Sequence, residues 1–103
     1  VRRGDVLAAH SLRRGVAEAL EIVAHGNKKS SRVVGKRIAD IDLPEGVEIA
    51  ALVRDTDDIE EPQVLIAKKD VIVEPEDRVI VFVPGKRVIA QVEKLFAVDV
   101  GFF

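Results

Sequence analysis

The sequence predicts an α+β fold: a small mixed or antiparallel β-sheet of about four to five strands, with one short helix and an amphipathic C-terminal helix. Valine and isoleucine supply much of the apolar content, which favours strands. The apolar runs are short and are separated by turns that contain proline or glycine. The 103 residues suit a single domain. Because the chain begins at Val1 rather than methionine, we expect it to be a fragment of a longer protein.

Two apolar runs open the chain, at residues 6–12 and 16–24. The loop between them, Arg13-Arg14-Gly15, suits a hairpin with glycine at a left-handed position. The second run has apolar spacing that also suits a helix. Residues 20–23 favour a strand instead. We expect a strand here, with a helix as the alternative.

The segment 31–54 is the centre of the predicted domain. Val34, Ile38 and Ile41 lie at helical spacing, which predicts a short amphipathic helix. The Leu-Pro-Glu-Gly sequence at 43–46 ends it, since proline disfavours helix before it and glycine accepts a positive φ. Alternation between apolar and other residues over 47–53 then predicts a strand.

The second half predicts further strands at residues 64–67, 71–73 and 79–83. The run 79–83 is apolar at every position, so we expect it to be buried on both faces and to lie at the centre of the sheet. Residues 86–96 have the apolar spacing of an amphipathic helix that closes the domain.

Composition excludes several classes of function. The net charge of −2 comes from interspersed charges of both signs, so we expect no nucleic-acid partner. The chain has no cysteine, which excludes a disulfide framework and a thiolate metal site. Its longest apolar run, residues 79–84, is far shorter than the roughly 20 residues that span a bilayer, so we expect a soluble chain.

The sequence also gives no support for catalysis. His10 and His25 are the only histidines, and no nucleophile-elbow motif accompanies them. There is no G-x-G-x-x-G motif, and the Gly-Lys-Arg sequences at 35–37 and 85–87 lack the rest of a P-loop. We therefore expect no enzyme, no catalytic residue and no cofactor in this domain.

An acidic segment at residues 55–61 has two interpretations. It is either a solvated hairpin tip or a site for a divalent cation. A calcium loop would need glycine where Glu60 stands and a bidentate glutamate where Ile66 stands. We therefore expect the solvated tip and no metal.

The densest positive cluster precedes the strand at 47–53 and contains Lys28, Lys29, Arg32, Lys36 and Arg37. It is either a solvated face or an anion-binding rim, because guanidinium and ammonium groups pair with phosphate or carboxylate. On the second interpretation, Arg32, Lys36 and Arg37 are the predicted effector contacts.

Three of the four phenylalanines lie in the last eight residues, at Phe96, Phe102 and Phe103. They either fold back onto the core of the domain or form an apolar patch that docks a partner. On the second interpretation they are the predicted oligomer interface.

Four sequence segments, in this order, resemble a known domain family. They are SRVVGK at 31–36, IDLP at 41–44, AALVR at 50–54 and EPEDRVIVF at 74–82. Together they resemble the TrkA-C (or RCK-C) domain, a C-terminal subdomain that regulates bacterial potassium uptake, and the match covers about residues 17–96. The resemblance has two departures: Glu76 stands where the family usually has glycine, and the Asn and Arg that grip cyclic dinucleotides in some relatives have no match around residues 43–49.

The resemblance implies a non-catalytic regulatory domain that forms a homodimer or a larger ring. An upstream Rossmann domain would bind NAD(H) or adenine nucleotide, and this domain would either sense a small effector or bind none. The assembly would lie in the cytoplasm against a membrane potassium translocator. Two alternatives are a purely structural oligomerisation module and a TrkA-C domain of another transporter, such as a cation/proton antiporter or an anion symporter.

Overall fold

The computed structural model describes residues 5–12, 17–57 and 60–98. Five strands form one sheet, and each paired strand is antiparallel to its neighbour. The strands are β1 (Asp5–Leu12), β2 (Ala17–Ala24), β3 (Glu48–Arg54), β4 (Gln63–Ile66) and β5 (Asp77–Val83). Their spatial order is β1-β2-β5-β3-β4. The predicted α+β fold is confirmed, and so is the central position of the 79–83 run.

The ambiguous second run is a strand, as expected. β2 pairs with β1 on one side and with β5 on the other, so its alternate residues Leu20, Ile22 and Ala24 enter the core. Strand pairing on both sides outweighs the helical propensity of the alanines. The predicted hairpin loop at 13–15 lies outside the described residues.

The short helix predicted over 34–41 is wrong in extent: only Ile38–Asp40 forms a single 3-10 turn. The preceding backbone pairs with a distant segment instead. Gly35 N–H donates to the Val73 carbonyl at 2.7 Å, and Val73 N–H donates to the Lys36 carbonyl at 3.0 Å. These bonds with residues 71–73 replace the helical ones, and residues 71–73 form only an isolated bridge rather than the predicted strand.

The C-terminal helix α1 spans Ile89–Leu95 and follows a 3-10 turn at Lys86–Val88, as predicted for 86–96. Val92 and Phe96 lie four residues apart on the helical face and are fully buried. They belong to a single core with the inward residues of β2, β3 and β5. The fully buried apolar members of that core are Leu20, Ile22, Val33, Leu52, Val73, Val79, Val81, Val83, Val92 and Phe96.

The other face of β5 is more open than the sequence predicts. Burial alternates along this strand, with Val79, Val81 and Val83 buried while Ile80 is half-buried and Phe82 is 44% exposed. The expectation that β5 is buried on both faces is therefore wrong for the described part of the chain. The described core lies against one side of the sheet. The other face carries exposed apolar side chains of β4 and β5 together with the charged residues Glu21, Glu48 and Arg78.

Candidate functional site

A tight turn after β2 positions the basic cluster. Asn27 Oδ1 accepts hydrogen bonds from the backbone N–H groups of Lys29 and Ser30 at 2.8 and 3.2 Å. Ser31 Oγ then accepts from the N–H groups of Val33 and Val34 at 3.1 and 3.0 Å. Short polar side chains thus satisfy the backbone where no helix forms. These hydrogen bonds fix the backbone of the turn that carries Lys28 and Lys29.

A cavity of about 250 Å³ lies beside this turn. One wall comes from the turn and the segment after it, and the other from the segment before β5. The lining residues are Asn27, Lys28, Val34, Gly35, Ile72, Val73, Glu74 and Pro75. Most of this lining is apolar, with the Lys28 stem packed against Gly35, where a Cβ would lie 2.3 Å from Lys28 Cγ. The cavity offers an apolar surface beside a cation.

A buried ion pair holds the second wall of the cavity in place. Arg54 Nε and Nη2 donate to the two Asp77 oxygens at 2.9 and 2.8 Å, and the Asp77 side chain is only 1% exposed. Arg54 also donates to the Ile72 carbonyl at 3.0 Å and pairs with Glu74 at 3.0 Å. The hydrogen bond with Asp77 raises the pKa of Arg54 above its ordinary value, despite the opposing effect of burial. One guanidinium thereby joins β3, β5 and the cavity wall.

The turn between that wall and β5 contains a strained residue. Glu76 has φ 68°, and Asp77 N–H donates to the Glu74 carbonyl at 3.2 Å. Pro75 and Glu76 therefore occupy the positions where a type II turn prefers proline and glycine. Glu76 Oε2 lies 2.7 Å from His25 Nδ1, which links this turn to the end of β2.

The three predicted effector residues make different contacts. Arg32 Nη1 donates to the Lys94 carbonyl at 3.0 Å, near the end of α1. Arg37 pairs with Asp40 at 2.9 Å, and that hydrogen bond raises its pKa. Lys36 is exposed, and within the described residues no hydrogen bond or ion pair engages its ammonium group. Lys36 is therefore the member of the three that could meet an anion without exchanging a partner.

The predicted interface phenylalanines also separate. Phe96 is fully buried, so its side chain packs inside this domain. Phe102 and Phe103 lie outside the described residues. The clustering of three phenylalanines in the sequence did not show which of them is buried. The i, i+4 spacing of Val92 and Phe96 does indicate that Phe96 shares the buried face of α1.

The described residues of the acidic segment, 55–57 and 60–61, form a loop with polar contacts. Asp55 Oδ1 accepts from Arg78 at 2.9 Å, and Thr56 Oγ1 donates to the Glu61 carbonyl at 3.1 Å. Residues 58–59 lie outside the description. Across the described ranges, no group of three or more His, Cys, Asp or Glu side chains could hold a metal ion. In the same ranges, no helix has the length and apolarity to cross a bilayer.

Sequence reasoning included Lys28 in the positive cluster but did not identify it as a cavity residue. It missed the Arg54–Asp77 pair entirely. Asp77 could have been noticed, because it occupies an inward position of β5, two residues before Val79. A carboxylate at an inward position predicts a buried partner. Arg54 reaches Asp77 because the register shift between Ile49 and Ala51 turns it to the inner face, which strict alternation would not predict. No local pattern identifies Lys28 as a cavity residue.

Comparison with known proteins gives consistent matches. The sequence model of the TrkA-C domain family matches residues 28–97. The chain is 55% identical, over all of its 103 residues, to a Trk system potassium uptake protein TrkA of Halomonas elongata, of which it covers 21%. It is 46% and 44% identical, over 93% of its length, to proteins of that name from Vibrio alginolyticus and Haemophilus influenzae, covering 20% of each. The chain thus spans about a fifth of the length of these relatives.

Proposed function

Since the chain belongs to the TrkA-C domain family, we propose that it is the regulatory, non-catalytic C-terminal domain of a Trk system potassium uptake protein. The observation that carries this proposal is the 55% identity to a protein of that name across the whole chain. The relatives are about five times longer, which supports a multidomain protein in which this domain acts on others. The upstream part would carry the Rossmann domain for NAD(H) or adenine nucleotide.

The proposed mode of action is pairing with a second copy, in a homodimer or a larger ring. The assembly lies in the cytoplasm, at the inner face of the membrane, and contacts the potassium translocator there. A change in how two copies pack would shift the translocator between its states. A ligand drives such a shift only if it binds one arrangement more tightly than the other.

The proposed effector site is the 250 Å³ cavity together with the positive cluster beside it. The apolar lining suits a flat organic group, and Lys28 in that lining suits its phosphate or carboxylate. The exposed Lys36, next to Gly35 of the lining, would be a second cation. Arg32 and Arg37 would contribute after leaving Lys94 and Asp40. An anionic molecule with an apolar ring, such as a nucleotide, has the required chemistry.

A thermal-shift screen of the chain against adenine nucleotides, NAD(H), cyclic dinucleotides and divalent cations tests the effector site. A ligand at about 100 times its Kd adds about 2.7 kcal/mol of apparent stability, or roughly 10–20 °C for a domain of this size. Lys36→Glu should abolish the shift, whereas Lys86→Glu, an exposed lysine after β5, should preserve it. A shift that survives Lys36→Glu together with Arg32→Glu and Arg37→Glu would exclude this site.

A second candidate is a purely structural pairing module without an effector. The intramolecular contacts of Arg32 and Arg37 favour it, because they occupy two of the three predicted ligand contacts. It predicts a flat screen from a chain that is a stable dimer in light scattering. If the chain ending at Val98 becomes monomeric, the interface includes Phe102 and Phe103; an unchanged dimer would exclude these two residues from the interface.

A further inference from the structure

The edge strand β4 has no strand on its outer side among the described residues, and the backbone bond made there is local, from the Lys68 N–H to the Ile66 carbonyl at 2.8 Å. It pairs only with β3, at the end of the sheet. Ala67 N–H donates to the Ala50 carbonyl at 3.1 Å, which continues the β3–β4 ladder. Because hydrogen-bonding direction alternates along a strand, Leu65 then also bonds to β3, while the N–H and C=O groups of Val64 and Ile66 point away from it.

The side chains beside this edge are exposed and apolar. Val64 and Ile66 are 62% and 66% exposed, and both lie on the outer face of the sheet. The strand register continues this face from Ile66 through Ala51 to Ile80. An outward-pointing backbone edge next to an apolar face is the combination that strand addition uses.

The charges at the two ends of β4 are complementary to each other. Glu61 lies just before the strand, and Lys68 and Lys69 lie just after it. Neither Lys68 nor Lys69 has a hydrogen bond or ion pair from its ammonium group within the described residues. Two antiparallel copies of β4 would place the acidic end of each opposite the basic end of the other.

We infer that β4 pairs with β4 of a second copy of this chain, antiparallel and centred on Leu65, to give one continuous ten-stranded sheet. This inference rests on the pairing in the proposed function and names its surface. The register follows from the outward groups: Val64 of each copy meets Ile66 of the other, which makes four backbone hydrogen bonds. Glu61 then faces Lys69, and the apolar outer faces become continuous.

Pro62 does not prevent this pairing. It lacks the outward N–H that its position would otherwise supply, which is a common guard on edge strands. In the inferred register it faces Lys68, whose N–H already donates to the Ile66 carbonyl at 2.8 Å. The proline therefore limits the new ladder to the centre of β4, where the Ile66 carbonyl accepts from the other copy on its second lone pair.

Substitution of the edge residues tests the inference by sedimentation or light scattering. Val64→Lys and Ile66→Lys should each raise the dimer dissociation constant about tenfold or more, since each puts an ammonium into a formerly apolar contact. Both side chains are already exposed, so the monomer should keep its fold. Ala90→Lys is the matched control, because Ala90 is exposed on α1, outside the cavity lining, and its substitution should leave the dimer intact.

A cysteine cross-link tests the register directly. The chain has no cysteine, so Leu65→Cys introduces a single thiol. In the inferred pairing this residue faces itself in a non-hydrogen-bonded position, within reach of a disulfide. Mild oxidation should cross-link Leu65→Cys into dimers faster than Ala90→Cys. A double variant, Glu61→Lys with Lys69→Glu, should retain the dimer that Lys69→Glu alone weakens.

The outcomes distinguish the inferred β4 surface from the proposed pairing of two copies on which it rests. If the chain is a dimer that Val64→Lys and Ile66→Lys leave unchanged, and Leu65→Cys cross-links no faster than its control, then pairing stands and the β4 surface is wrong. If the unsubstituted chain is a monomer at every concentration, both pairing and the β4 surface are wrong for it. Loss of the dimer in both lysine variants, with selective cross-linking, establishes the surface.

Discussion

Replacement of Arg54 by methionine should strongly destabilise the domain. Asp77 is 1% exposed and accepts three hydrogen bonds, two from Arg54 and one from the Glu74 N–H at 2.8 Å. Arg54→Met removes two of them and leaves a buried carboxylate without its counter-ion. The cost of such a loss is about 3–5 kcal/mol, which is a large share of the roughly 5–15 kcal/mol that stabilises a typical domain.

The measurement is the free energy of unfolding in urea. Arg37→Met is the matched control, because Arg37 also pairs with an aspartate but both partners are more than half exposed. Water screens an exposed pair of this kind, so it contributes little to stability. If Arg54→Met and Arg37→Met lose equal stability, then burial of Asp77 does not determine the strength of the Arg54 pair and our reasoning is refuted.

A double variant identifies the cause of the loss. Arg54→Met with Asp77→Leu removes the stranded carboxylate, and replacement of a whole buried pair by apolar residues is often neutral. The double variant should therefore be more stable than Arg54→Met alone. A double variant that is less stable would show that the loss comes from packing or from the Arg54 bond to the Ile72 carbonyl.

Three further predictions concern backbone strain and packing, and thermal unfolding measures each. Glu76→Gly should be more stable than Glu76→Ala by about 1 kcal/mol, because both lose the side chain but only glycine accepts φ 68° without strain; equal stabilities would contradict this. Gly35→Ala should cost about 1 kcal/mol or more at φ 83°, whereas Gly85→Ala, at φ 168° with open space around it, should cost nothing comparable. Phe96→Ala should lose about 3–5 kcal/mol from a fully buried site, and Phe82→Ala, at 44% exposure, far less; similar losses would refute the burial argument.

The sheet was largely predictable because its strands have strong local signals. The apolar run in β5 and the apolar content of β3 are local features, so short windows of sequence reveal both strands. The strict alternation predicted over 47–53 is wrong, because the register shifts between Ile49 and Ala51 and Leu52 enters the core instead of Ala51 or Val53. The helix predicted over 34–41 failed for the opposite reason. Its backbone pairs with residues 71–73, and no local pattern shows that a distant segment competes for those hydrogen bonds.

The candidate site was predictable only as a set of charges. The sequence identified the positive cluster, and Lys36 does lie exposed within it. Three features depend on tertiary contacts: the cavity, the place of Lys28 in its wall, and the Arg54–Asp77 pair that supports the other wall. Charge spacing along the chain indicates the local pair of Arg37 with Asp40, three residues on, but not the contact of Arg32 with the distant Lys94 carbonyl.

The central position of β5 also affects how the chain folds during synthesis. β2 pairs with β5, from Glu18 opposite Val83 to Ala24 opposite Asp77. The β1–β2 hairpin therefore joins the rest of the sheet only through the last strand of the sequence. Until β5 leaves the ribosome, β2 and β3 each lack the neighbour that lies between them in the finished sheet. Such long-range pairing slows folding and leaves apolar strands unprotected. The five-stranded sheet can therefore be completed only after β5 has been made.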